Sequence, residues 1–106
     1  MDPEVNEIIA RYKENLQGLG IHVKKILLYG SYAAGNPREH SDIDLIVISQ
    51  DFKNMGLWDR LGLLGRARVK LRRPMEILGY TEEEFDAQGR GTFIGDEVKT
   101  RGIEVA

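Results

Sequence analysis

Apolar residues recur every three or four positions in the first part of the chain, a spacing that predicts an amphipathic helix. Asp2 and Pro3 make a good helix start, with Asp as the N-cap and Pro at the first helical position. Gly18 or Gly20 would end the helix. The side chains on its predicted core face are Val5, Ile8, Ile9, Tyr12 and Leu16.

Short apolar runs further along the chain have the length and composition of strands. The first stops at Gly30, and the second is rich in β-branched residues and is interrupted by Asp44. The third begins at Pro74, which suits the first position of a strand, where the missing donor matters least. The predicted strands cover residues 25–29, 43–48, 74–79 and 103–105.

Three more helices are predicted among these strands. Thr81 followed by Glu84 is a capping-box pattern that opens a short helix, and a last helix would cover residues 92–101. The longest of the three would present a core-facing stripe of Leu57, Leu61, Leu64, Ala67 and Leu71. Because helices alternate with strands, we expect an α/β fold in which helices pack on a small sheet.

The composition limits the classes of function. The 106 residues, 42% hydrophobic and 30% charged, suit one folded domain over residues 1–106. Because there is no cysteine, disulfides, thiolate zinc sites and thiol nucleophiles are excluded. No apolar run approaches the ~18 residues of a membrane span, and the first residues are acidic where a signal peptide is basic. We therefore expect a cytoplasmic protein that does not bind membranes.

Charge is balanced overall but uneven along the chain. A net charge of −2 creates no field that would attract nucleic acid, so we expect no nucleic-acid partner. Residues 66–73 (RARVKLRR) nevertheless carry five basic side chains and no acidic one. On a helix these charges would spread over more than one face, which favours a solvated surface over a binding site for RNA or a nucleotide. Pairing with the acidic residues 82–84 is a further interpretation.

Two pairs of residues near the strand ends have the chemistry of a phosphate and metal site. Gly30-Ser31 follows the first strand, where a turn into a helix would offer N–H groups and a hydroxyl to an anion; a plain turn is the alternative. Asp42 and Asp44 share one side of the second strand, because successive strand side chains alternate. Two carboxylates this close repel each other and are stabilised by a shared cation such as Mg²⁺ or Mn²⁺. The alternative interpretation is that they belong to a surface turn.

Glu76 is a lone acid inside the apolar run of the third strand. A buried carboxylate without a partner is costly, so Glu76 lies either at an exposed sheet edge or beside a partner. If the third strand neighbours the second, Glu76 meets Asp42 and Asp44. Three carboxylates could then hold one or two divalent ions, an arrangement used for in-line phosphoryl or nucleotidyl displacement.

The spacing of these residues resembles the signature of the nucleotidyltransferase superfamily related to DNA polymerase β. Residues 30–48, GSYAAGNPREHSDIDLIVI, carry it: Gly30-Ser31, ten residues, then Asp42-x-Asp44, each half bounded by an apolar strand. The chain is most similar to the minimal nucleotidyltransferase (MNT) domains, found as MntA-type antitoxins in MNT/HEPN toxin–antitoxin pairs. The resemblance implies the nucleotidyltransferase fold, with a small mixed sheet of three or four strands and helices packed on it.

The resemblance also implies a role for each matching residue. Gly30 and Ser31 would bind the triphosphate of ATP, and Asp42 and Asp44 would be catalytic residues that ligate Mg²⁺. Glu76 occupies the place of a third catalytic and metal-ligating carboxylate, often Asp, which helps to activate the attacking hydroxyl. Its extra methylene leaves open whether it serves as base, ligand or both. Many relatives have Arg where this chain has Ala34, and Arg38 is close enough in sequence to take over that phosphate contact.

Two functions of different classes follow. The resemblance implies transfer of AMP from ATP to a hydroxyl, with Mg²⁺, on a tyrosine of a partner HEPN ribonuclease that is thereby blocked. The alternative is a non-catalytic module that neutralises its partner by contact, with Trp58 either at the interface or at the edge of the core. His40 is better explained as a loop residue than as part of a catalytic relay with Ser41 and Asp42.

Overall fold

A computed structural model describes residues 3–38 and 41–106. These residues form four strands and five helices; a 3₁₀ turn over Gln50–Phe52 precedes the third helix, and a π-helical turn over Ile94–Val98 runs into the last one. In chain order the elements are α1 (Pro3–Gly18), β1 (Lys25–Tyr29), α2 (Ser31–Ala34), β2 (Ile43–Ile48), α3 (Leu57–Arg66), β3 (Met75–Tyr80), α4 (Glu82–Asp86), α5 (Lys99–Arg101) and β4 (Ile103–Glu104).

The strands form one mixed sheet in the order β3-β2-β1-β4. Strands β1 and β2 are antiparallel, β4 runs antiparallel to β1, and β3 runs parallel to β2 at the edge of the sheet. This confirms the predicted α/β fold with a small mixed sheet. Because β3 is the direct neighbour of β2, the acid that β3 carries lies beside the acids at the start of β2.

The two faces of the sheet bury different amounts of apolar surface. The larger core lies between one face and helices α1 and α3, and it contains all five predicted α1 residues. The other face carries a smaller cluster contributed by Tyr29, Ile46, Ile48, Phe85, Ile94 and Val98. Since side chains alternate along a strand, Asp44 and Glu76 project from this less covered face.

Helix α1 and the capping box agree with the prediction, although the predicted N-cap Asp2 lies outside the described residues. The Thr81 hydroxyl accepts a hydrogen bond from the Glu84 N–H, and the Glu84 carboxylate accepts one from the Thr81 N–H. The predicted C-terminal helix is also present, but it begins with the π-helical turn. In the part of the chain that the structure describes, no helix is long and apolar enough to cross a bilayer.

Helix α3 is shorter than its apolar spacing predicts. It ends at Arg66, so Leu71 lies outside it, and Leu57 is exposed at its first position. Leu64 and Ala67 are the buried members of the predicted stripe. The chain turns after the helix, where Lys70 adopts the left-handed backbone conformation with φ 64°.

The basic segment 66–73 consequently lies mostly in this turn, and the prediction that it forms a helix is wrong. Two of the acidic residues that could have paired with it pair elsewhere, Glu82 with Lys24 and Glu84 with Arg60. Arg73 of the basic segment pairs instead with Glu4 of α1.

Candidate functional site

Three polar side chains form a row across the less covered face of the sheet. In the register of the strands, Tyr29 on β1 lies opposite Asp44 on β2, and Asp44 lies opposite Glu76 on β3. Paired residues on neighbouring strands point to the same side of a sheet, so the three side chains are neighbours. The row therefore joins the end of β1 to the acidic start of β2 and β3.

Asp42, Asp44 and Glu76 converge in space. One carboxylate oxygen from each residue lies within 4.8 Å of the others, with Asp42 and Glu76 exposed and Asp44 half-buried. Oxygen ligands at this spacing suit a hard divalent cation such as Mg²⁺. The spatial condition under which the sequence predicts a joint metal site, β3 beside β2, is met by the strand order.

The electrostatics of Asp44 show the cost of placing these acids together. Burial raises the pKa of Asp44 to about 6, and the negative charges of Glu76 and Asp42 and a hydrogen bond with Glu76 act in the same direction. The pKa of Tyr29 is also raised, first by burial and then by the charges of Asp44 and Glu76. A cation between the carboxylates would remove this repulsion, so the donor set fits a metal ion.

Gly30 connects β1 to α2 in a conformation that other residues rarely adopt. Its φ is 76°, and a Cβ at this position would overlap Oδ2 of Asp44 and lie 3.1 Å from its Cγ. The backbone therefore passes directly against the central acid of the site, and only glycine fits there. Ser31, half-buried, begins α2 immediately afterwards.

Arg73 contacts α2 through the side chain of Tyr32. The sequence shows Arg73 only as one member of the basic segment 66–73. The Arg73 guanidinium donates a hydrogen bond to the Tyr32 hydroxyl, lies 5.8 Å from the centre of its ring, and is 3.2 Å from the Glu4 carboxylate. Tyr32 is buried in the larger core. No spacing in the sequence links Arg73 to Tyr32, so this contact could be found only from the structure.

A second arginine holds the far end of β3. Arg60 is 12% exposed, and its guanidinium donates to the carbonyls of Phe52 and Gly79 and to both carboxylate oxygens of Glu84. The hydrogen bond from Arg60 is the main reason that the pKa of Glu84 is lowered to about 2. Glu84 thus does more than cap α4: it ties α4 to α3 and to the edge strand.

Arg38 lies on the exposed loop before β2. Its N–H donates to the Ser41 hydroxyl over 2.7 Å, and its carbonyl accepts from the Ser41 N–H over 3.0 Å. Within residues 3–38 and 41–106, no ion pair joins Arg38 to the three acids, so a phosphate contact stays a prediction. His40 lies outside the described residues.

Trp58 is 82% exposed near the start of α3, beside the exposed Leu57. The interpretation that places it at the edge of the core is therefore wrong.

Comparison with protein families matches residues 5–102 to the family described as nucleotidyltransferase domain. Two candidate protein adenylyltransferases of Methanocaldococcus jannaschii are similar to one segment of the chain. MJ1215 is 43% identical over 44 residues, which is 42% of this chain and 50% of that protein. MJ1379 is 46% identical over 44 residues, or 42% of this chain and 43% of that protein. The matched segment thus spans half of these relatives' length or less.

Solved structures share the fold along nearly the whole chain. A candidate nucleotidyltransferase of Sulfolobus solfataricus has a TM-score of 0.69 at 18% identity, over 95% of this chain and 78% of that one. A toxin–antitoxin crystallised with AMP-PNP has a TM-score of 0.63 at 23% identity, over 96% and 72%. A mutant of the toxin–antitoxin MntA-HpeT has a TM-score of 0.62 at 20% identity, also over 96% and 72%.

Proposed function

The chain belongs to the nucleotidyltransferase domain family, and from this premise we propose that it transfers AMP from ATP to a hydroxyl acceptor in a Mg²⁺-dependent reaction. The observation that carries this proposal is the convergence of three carboxylates within 4.8 Å, directly beside the turn at Gly30. Such a cluster suits a nucleotide triphosphate, whose negative charge requires a cation between it and the acids.

Asp42, Asp44 and Glu76 would hold the metal, since all three offer oxygen donors on one side of the sheet. Bound there, Mg²⁺ would neutralise charge on the triphosphate and help to align its α-phosphate for in-line attack. Asp44 carries the costliest charge of the set, because burial and then repulsion from Glu76 and Asp42 raise its pKa to about 6, and a bound cation would offset that repulsion.

Besides holding the metal, the site would have to position the phosphates and accept a proton. Gly30 keeps the backbone close to Asp44, and Ser31 would donate hydrogen bonds to phosphate oxygens. Glu76 would accept the proton of the acceptor hydroxyl as its oxygen bonds to the α-phosphorus. The bond from the α-phosphorus to the bridging oxygen breaks in the same step, and pyrophosphate leaves.

For the acceptor, we propose a tyrosine of a partner HEPN ribonuclease toxin, with this chain as the antitoxin in the cytoplasm. Relatives named as candidate protein adenylyltransferases support a protein acceptor. Two structural neighbours come from toxin–antitoxin pairs, which supports a toxin as the partner.

A non-catalytic antitoxin is the second candidate. The exposed Leu57 and Trp58 at the start of α3 favour it, because adjacent exposed apolar side chains are common in protein interfaces.

Both candidates are tested with the protein, a HEPN partner encoded beside it, Mg²⁺ and ATP labelled at the α-phosphate. We expect label on the partner with the wild type and with Asp59→Asn, an exposed acid on α3, and none with Asp44→Asn. Absence of label with the wild type would contradict the catalytic proposal. If the double variant Asp42→Asn, Asp44→Asn still neutralises the partner fully, contact is sufficient and the second function holds.

A further inference from the structure

An exposed aromatic side chain lies at the end of the row that contains the central acid. The ring of Phe93 packs edge-to-face on the ring of Tyr29, with 5.4 Å between the ring centres and 75° between their planes. Tyr29 is 7% exposed and Phe93 is 51% exposed. Phe93 is therefore fixed on one side by Tyr29 and leaves about half of its surface open.

We infer that Phe93, supported by Tyr29, is the surface on which the nucleobase of the bound nucleotide stacks. The inference rests on the proposed function, because it takes the triphosphate to lie at Gly30, Ser31 and the three acids. It adds a base-binding site to that function and a ligand class, the flat aromatic base of a nucleoside triphosphate.

The position of Phe93 is the first argument. Tyr29 is paired with Asp44 across β1 and β2, and Phe93 packs on Tyr29, so a single aromatic ring links Phe93 to the acids of the site. In a nucleotide whose α-phosphate lies at the acids, the ribose separates that phosphate from the base. A base-binding surface must therefore be near the acids without being part of the metal site, and the contact of Phe93 with Tyr29 meets this requirement.

The rigidity of the support is the second argument. Phe93 immediately precedes the π-helical turn, and two residues of that turn, Ile94 and Val98, are buried in the same cluster as Tyr29. The turn before Phe93 is also fixed, since the Gly91 N–H donates to the Asp96 carboxylate over 3.1 Å. A ring held in place before binding loses little conformational entropy when a base stacks on it.

The chemistry of the surface is the third argument. Every nucleobase has a π face, and stacking on an aromatic side chain requires no specific donor or acceptor. Removing one such ring typically weakens binding by roughly 5- to 150-fold. The other strongly exposed aromatic side chain among the described residues, Trp58, belongs to α3 and therefore serves as the comparison.

Two ligands distinguish binding of the base from binding of the phosphates: AMP-PNP has both, and inorganic tripolyphosphate has phosphates alone. Each is titrated with Mg²⁺ into the whole chain and followed by calorimetry. Phe93→Leu keeps an apolar side chain against Tyr29 but removes the π face, whereas Phe93→Tyr keeps the ring. We expect Phe93→Leu to weaken AMP-PNP binding at least 5-fold and to leave tripolyphosphate binding unchanged. Phe93→Tyr and the control Trp58→Leu should bind both ligands as the wild type does.

The other outcomes contradict either the base site on Phe93 or the proposed function as a whole. If Phe93→Leu binds AMP-PNP like the wild type, or loses both ligands equally, the base does not stack on Phe93. The same conclusion follows if the wild type binds AMP-PNP no more tightly than tripolyphosphate, although the phosphate site then stands. If the wild type binds neither ligand, the proposed function itself fails, and the base site fails with it.

Discussion

The backbone of Gly30 lies against the carboxyl group of Asp44, so closely that a Cβ on residue 30 would be 3.1 Å from Cγ of Asp44 and would overlap its Oδ2. The end of β1 and the acid of β2 are thus packed as one unit. The turn proposed to bind phosphate and the acid proposed to bind metal cannot move independently.

Gly30→Ala should abolish nucleotidyl transfer and lower the free energy of unfolding by about 2–3 kcal/mol, from steric overlap added to an unfavourable φ. Gly35→Ala is the matched control, because Gly35 has φ 78° but a Cβ there would meet no other described residue within 4 Å beyond its chain neighbours. That control should lose only about 1 kcal/mol, the cost of the backbone conformation. If urea denaturation shows the same loss of unfolding free energy for Gly30→Ala and Gly35→Ala, the contact with Asp44 is unimportant.

Asp44→Asn should stabilise the metal-free protein at pH 7 while removing activity. The pKa of Asp44 is about 6 in the folded state and near 3.8 in the unfolded state, so the folded state binds the proton more tightly. The contribution of Asp44 to the free energy of unfolding of the wild type therefore increases as the pH falls from 7 through 6. The increase is complete below pH 4. Because Asp44 is only partly buried, solvent screening limits the effect to about 1 kcal/mol.

The measurement for Asp44 is the difference in unfolding free energy between wild type and Asp44→Asn in a chelator, from pH 8 to pH 5. The advantage of the variant should be largest at pH 8 and shrink toward pH 5. A variant that is less stable than the wild type at pH 7 would contradict the account of repulsion among the acids.

Glu84→Gln should lower the free energy of unfolding at pH 7, because it removes the charge that Arg60 binds but keeps a side chain that can complete the capping box. The pKa of Glu84 is lowered to about 2 on folding, so its contribution is present above pH 4.5 and is lost as the pH falls through 2. Glu84 is 41% exposed, and after screening we expect a loss of about 1 kcal/mol.

The neighbouring Glu83, exposed on the same helix, provides the control for this pair. Thermal denaturation of Glu83→Gln should show a change well below that of Glu84→Gln. If the two variants melt alike, the ion pair does not stabilise the edge of the sheet.

Arg73→Ala should raise the KM for ATP several-fold and change kcat little. Arg73 contacts α2 through Tyr32 and therefore acts as a positioning residue for Ser31. Tyr32→Phe, which removes only the hydroxyl that accepts the hydrogen bond, should have a smaller effect in the same direction. Arg72→Ala, at the exposed neighbouring position, serves as control in steady-state kinetics. A fall in kcat at unchanged KM would contradict the positioning role.

Local patterns are sufficient to predict most of this fold. The α1 stripe, the four strands and the Thr81–Glu84 cap follow from short-range periodicity, and the Asp42-x-Asp44 spacing places two acids on one side of β2. These features depend on residues that are close in sequence, so the sequence carries them directly.

The features that the sequence does not predict depend on packing between distant residues. Arg73 and Tyr32 are 41 positions apart, and Arg60 and Glu84 are 24 apart, so no periodicity reveals their contacts. The apolar spacing after Leu57 predicts too long a helix, because spacing cannot show that the chain turns near Lys70. The exposure of Phe93 likewise follows from how the C-terminal helix packs on Tyr29.

Binding of Mn²⁺ in place of Mg²⁺, followed by electron paramagnetic resonance, reports directly whether Asp42, Asp44 and Glu76 hold a divalent cation. With AMP-PNP present, the wild type should bind Mn²⁺ that Mg²⁺ displaces, and Asp44→Asn should bind it at least tenfold more weakly than Asp59→Asn does. Equal Mn²⁺ binding by the wild type and Asp44→Asn would show that the three carboxylates are not the metal site.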